Sequence, residues 1–158
     1  MIPAVDDTAP PFEGLLCDGE TFRAATLSAI AGERGTVLIF DAFVFSAIAK
    51  NWWRRYDHAG WADLDGISVV GIVRDGPYSI NAFLRELESP FSILADLNGD
   101  IAESYGLLTE REGMAGIETP RRAVLVCDGQ LRIAHTWESE DWISPVPRSD
   151  IEEAIDAL

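Results

Sequence analysis

The residues of this chain that could carry chemistry are two cysteines, two histidines, a serine at a strand-to-helix junction and a pair of adjacent arginines. A thiolate can attack an electrophilic oxygen or sulfur, but it needs an electropositive, partly open setting to exist at neutral pH. Cys17 lies beside an Asp18-Gly19 turn signal and Cys127 ends the apolar run Ala123-Val124-Leu125-Val126, so both read as small buried hydrophobes. No Cys-x-x-Cys pair occurs, which argues against thiol-disulfide exchange, and His58 and His135 are too far apart for zinc-type spacing. Neither a metal nor an organic cofactor is therefore expected. Ser46 has no histidine placed to activate its hydroxyl, and at the start of a helical pattern its ordinary role is an N-cap. Arg122 heads an apolar strand, where a guanidinium can either hold an anion or remain a solvated strand-end charge.

These residues must be positioned by alternating strands and helices. Thr36 to Phe40 is an apolar, partly β-branched run, and beyond a short loop Ile48, Trp52, Tyr56 and Ala59 recur at helical spacing. The pattern predicts a buried strand feeding a helix from about Ala47 to Asp63, with the first free amides of that helix facing the loop between them. Upstream, residues Pro10 to Phe22 read as a hairpin around Asp18-Gly19, and Leu27 to Ile30 as a short helix. Downstream, Ile67 to Val73 reads as a strand buried on both faces, and Ile80, Phe83, Leu84 and Leu87 mark an amphipathic helix ended by Ser89-Pro90. Phe91 to Ala95 predicts a short strand, Asp100 to Tyr105 a short helix, and Glu110 to Pro120 an exposed loop. Arg122 to Cys127 and Leu131 to Trp137 flank an Asp128-Gly129 turn that supplies the antiparallel pair. Ser149 with Glu152 reads as a capping box before a final helix.

Composition narrows the partners. The 27 acidic and 12 basic residues give a formal net charge of -15, a field that repels nucleic acid and anionic lipid. The only lysine is Lys50, and an acidic, lysine-poor chain resembles proteins of salt-loving organisms, whose ionic strength screens self-repulsion. No apolar run approaches the ~20 residues needed to cross a bilayer, and the opening residues lack a basic region and an apolar signal core, so a cytoplasmic location is expected.

The stretch Phe45-Ser46-Ala47-Ile48-Ala49 resembles the peroxidatic loop of the peroxiredoxins, the alkyl hydroperoxide reductase and thiol-specific antioxidant family, which reads Phe-Thr-x-x-Cys at the start of its first long helix. In that correspondence Ser46 stands for the threonine and Ala49 for the nucleophilic cysteine. Arg122 matches the strand-borne arginine of the family, with Arg121 taking its place if the alignment slips by one. The resemblance runs from Pro10-Pro11-Phe12 to the C-terminal helix. It implies an α/β, thioredoxin-like fold of the peroxiredoxin type, with a central mixed sheet flanked by helices, an N-terminal hairpin and residues 1–158 in one domain. The absence of a resolving cysteine after Trp137 is similar to the one-cysteine and bacterioferritin-comigratory branches.

The activity implied by the resemblance is reduction of a hydroperoxide by a cysteine thiolate, leaving a sulfenic acid. The methyl group of Ala49 can neither attack oxygen nor store an oxidation state, and loss of a sole nucleophile removes on the order of a millionfold of rate in well-studied hydrolases. Ala42 and Trp52 also replace the proline and glutamate usual in the family, which favours natural divergence over a single replacement. The expectation is a binding or interaction module that keeps a small polar or anionic ligand site at Ser46, the helix N-terminus and Arg122, and that forms a homodimer. The alternative is an antioxidant thiol peroxidase whose cysteine was replaced, or that uses Cys17 or Cys127. Trp52 shares the apolar stripe of its helix and reads as core. Trp53 is expected on the helix surface beside Ala49, roofing that site or packing in a dimer interface.

Overall fold

The computed structural model describes residues 1–158. Its nine strands are β1 (Glu13–Cys17), β2 (Phe22–Thr26), β3 (Gly35–Phe40), β4 (Ile67–Val73), β5 (Ser92–Ala95), β6 (Leu108–Glu110), β7 (Glu118–Pro120), β8 (Ala123–Asp128) and β9 (Ile133–Glu138). The helices are α1 (Leu27–Ile30), α2 (Ala47–His58), α3 (Pro77–Leu87), α4 (Asp100–Ser104) and α5 (Arg148–Asp156), with a 3-10 turn at Trp61–Asp63. Seven strands form one mixed sheet in the order β2-β1-β5-β4-β3-β8-β9. The strands β3, β4 and β5 are mutually parallel, joined by the helical crossovers α2 and α3. Beyond the two hairpins foreseen at Asp18-Gly19 and Asp128-Gly129, which form as β1-β2 and β8-β9, the antiparallel pairs include β1 with β5 and β8 with β3.

The continuous apolar runs follow from burial on both faces of this sheet. Along β3, Val37 and Ile39 face a core built with α2, α3 and α5, whereas Leu38 and Phe40 face a second core with Leu27, Ile101, Tyr105 and Leu107. Gly71 interrupts the aliphatic run of β4 for a steric reason: a Cβ there would lie 2.5 Å from Cζ2 of Trp53. The missing side chain makes the slot that the indole fills. Trp53 is consequently 1% exposed, packed against Phe91 and Tyr56, and not on the helix surface as expected. It lies inward because the buried stripe of α2 is broad enough to include Ala49, Trp52, Trp53 and Tyr56.

Three boundaries differ from the sequence reading. The helix α2 stops at His58, because Gly60 adopts φ 79° and the chain resumes only as the 3-10 turn. The stretch from Glu110 to Pro120 is not all loop: β6 and β7 pair as a small separate hairpin, with Thr109 opposite Thr119. Its charges and glycines occupy the tip, which masked the short paired ends. The helix α5 starts at Arg148 after Pro147, so Ser149 is inside the first turn and caps nothing. Glu152 instead accepts the indole N–H of Trp61 at 3.0 Å and lies 3.6 Å from Arg148.

Candidate functional site

The β3-to-α2 loop is held from below by β4 and its following turn. Asp41 donates its amide to the carbonyl of Ile72, Arg74 donates its amide to the carbonyl of Ala42, and Val44 donates its amide to Oδ1 of Asp75 at 2.8 Å. Burial raises the Asp75 carboxyl above its ordinary value, and the Val44 bond opposes that. Phe45 takes φ 53°, a left-handed conformation costly for a bulky residue, so the loop is fixed by its surroundings. Ser46 is the N-cap of α2, its Oγ accepting the amide of Ala49 at 3.2 Å. Ala49 is the third residue of the helix and is 1% exposed.

Arg122 immediately precedes β8, whose first residue Ala123 lies opposite Phe40, so the ends of β3 and β8 bring Asp41 and Arg122 together. The guanidinium is 3% exposed, its Nε 3.9 Å from Oδ1 of Asp41 and its Nη1 donating to the Ser144 carbonyl at 2.6 Å. The Trp137 ring lies 5.6 Å away on its flank. Arg122 is thus a buried, paired charge and not a solvated strand end. Arg121 points elsewhere, to Glu138 and the Gly106 carbonyl.

Asp41 is the site residue that sequence reasoning missed. Burial pushes its carboxyl up to about 7, while Arg122 and then the Trp53 indole N–H pull it back toward ionisation. Its Oδ2 and the Trp53 Nε1 lack a well-formed hydrogen bond. Tyr56 approaches from the same face of α2, and burial followed by the Asp41 charge raises its phenol well above the ordinary value. The available signal was an acid directly ending the apolar run Thr36-Val37-Leu38-Ile39-Phe40.

This arrangement holds a buried carboxyl beside a buried guanidinium under the helix, but no sulfur. The main surface depressions are lined by other residues, and none reaches Ala49 or Arg122. Cys17 and Cys127 are fully buried on different strands, their thiols pushed up to about 11 and about 12, chiefly by burial and secondly by Asp18 and Asp128. No group of three or more His, Cys, Asp or Glu side chains is gathered where it could hold a metal ion.

The family model described as the AhpC/TSA family matches residues 5–136. The chain has no match among curated protein sequences. Among solved structures it resembles the reduced 2-Cys peroxiredoxin of Plasmodium vivax, with a TM-score of 0.82 at 20% identity over 98% of this chain and 82% of that one. A peroxiredoxin-like protein from Aquifex aeolicus superposes with a TM-score of 0.82 at 16% identity, covering 100% of this chain and 90% of that one. The peroxidoxin BcpB of Mycobacterium tuberculosis does so with 0.75 at 23% identity, covering 96% and 94%.

Proposed function

Since the chain belongs to the AhpC/TSA family and has the peroxiredoxin-like thioredoxin fold, we propose that it is a member without thiol-peroxidase chemistry, acting as a binding or interaction module. The observation that carries this reading is the methyl group of Ala49, buried at the third position of α2 where the resemblance puts the attacking thiolate. The buried Cys17 and Cys127 offer no substitute, since desolvation disfavours their thiolates. A small polar or anionic ligand would meet the α2 N-terminus through the Ala47 and Ile48 amides, the Ala49 amide being taken by Ser46. Arg122 would join only after a rearrangement that loosens its hold on Asp41 and Ser144. The family resemblance supports a homodimer, which light scattering tests directly, and a cytoplasmic setting; no helix is long and apolar enough to cross a membrane.

The decisive experiment measures hydrogen peroxide consumption with dithiothreitol by the chain and by Ala49→Cys. The chain is expected to add nothing to the rate without protein, and turnover lost on alkylating Cys17 or Cys127 would overturn the reading. Ala49→Cys is also expected to stay inactive, because Arg122 is already engaged by Asp41 and the Ser144 carbonyl. Restored turnover would mean a peroxidase site lacking only its sulfur.

A further inference from the structure

On α2, the buried residues Ala49, Trp52, Trp53 and Tyr56 leave the opposite face to solvent. At about 100° per residue, Ala47, Lys50, Asn51, Arg54, Arg55 and His58 all project within that outer face. They line a shallow depression of about 510 Å³. Three of the twelve lysine and arginine side chains, including the only lysine, are therefore concentrated on twelve residues that carry one acid, Asp57.

One of the three lysine and arginine side chains on this face is paired, as are four of the twelve in the whole chain: Lys50 meets Glu86 at 3.2 Å, with both side chains partly exposed. Arg54, Arg55 and His58 have no carboxylate within 4.0 Å. Arg55 is held in place by other means: its Nε donates to Asn51 Oδ1 at 3.2 Å and its guanidinium lies 5.2 Å from the Trp52 ring. A guanidinium already fixed loses less freedom when it meets a carboxylate. The helix dipole accounts for cations in the last turn, Arg55 and His58, but not for Lys50 near the N-terminus, where positive charge is disfavoured.

We propose that the outer face of α2 is a docking surface for a short acidic segment of a partner polypeptide. The rows Lys50-Arg54-His58 and Asn51-Arg55 present donors one turn apart, matching carboxylates at i and i+4 of a partner helix. The other 146 residues carry 26 acids against nine lysines and arginines, so an approaching acidic partner is disfavoured over the rest of the molecule on average and favoured at this basic face. A nucleic acid fits poorly: the helix spans only about 18 Å, and a longer polyanion would run onto the surrounding acids. The proposal uses the face of α2 opposite Ala49 and holds whichever way the peroxide assay falls.

The test is fluorescence anisotropy with a labelled helical peptide bearing glutamates at i and i+4, at about 50 mM and about 500 mM salt. Saturable binding at low salt, weakened at least about tenfold at high salt, is expected. The doubly substituted Arg54→Glu, Arg55→Glu chain should lose binding, and Arg54→Gln should weaken it if the double variant fails to fold. Arg23→Glu, exposed on β2, should leave affinity unchanged. No binding at low salt, or equal loss with Arg23→Glu, overturns the surface. An oligonucleotide of equal charge binding as tightly as the peptide overturns the partner class.

Discussion

Replacing Asp41 by asparagine keeps the shape of the side chain and removes its titration. In the native protein burial holds this carboxyl at about 7, with Arg122, Trp53 and Tyr56 as the groups that face it. In the unfolded chain it returns to about 3.9. Below about pH 4 both states bind the proton and Asp41 contributes no pH dependence. Between about pH 4 and pH 7 the native state retains a proton that the unfolded chain releases, so stability falls as pH rises, then levels off above about 7. At ~1.4 kcal/mol per unit, the full window amounts to at most about 4 kcal/mol. Many other carboxylates titrate here, so the quantity to read is the difference between the two chains. Urea unfolding followed by tryptophan fluorescence should show Asp41→Asn gaining on the parent chain by about 2 to 4 kcal/mol between about pH 5 and about pH 8. The attraction of Arg122 is already contained in the native value of about 7, and in the variant Arg122 faces a neutral amide at every pH, so it adds no further pH dependence to that change. A difference that stays flat, or that moves against the variant as pH rises, would show that Arg122 outweighs desolvation and that the pair is an ordinary ion pair.

Two further outcomes follow from the same site. Ser46→Ala removes the acceptor of the Ala49 amide and should cost about 1 kcal/mol, lowering Tm by about 2 to 4 °C, while Ser46→Thr should be nearly neutral; equal melting of all three chains would remove the capping role. Cys17 and Cys127 should resist dithionitrobenzoate in the folded chain and react fully in denaturant, since both are 0% exposed with raised pKa values. Prompt labelling of either native thiol would reopen the peroxidase alternative.

The sequence by itself determined what depends on neighbours along the chain. The two-faced apolar runs of β3 and β4, the i, i+3, i+4, i+7 stripe of α3, the Asp18-Gly19 and Asp128-Gly129 turns and the N-cap at Ser46 are local patterns, and each was readable before the fold was known. The resemblance added the strand-to-helix site and the vacancy of sulfur at Ala49. Only the tertiary structure decided whether a given polar or aromatic residue is buried, because that depends on elements remote in sequence. Arg122 gains its acid only when β3 and β8 pair, bringing together residues 81 positions apart. Trp53 turns inward only because Gly71, on the neighbouring strand, leaves room for its ring. Asp41, which closes an apolar strand, becomes a shifted carboxyl only when α2 and Arg122 cover it, and no periodicity in a single segment encodes that enclosure.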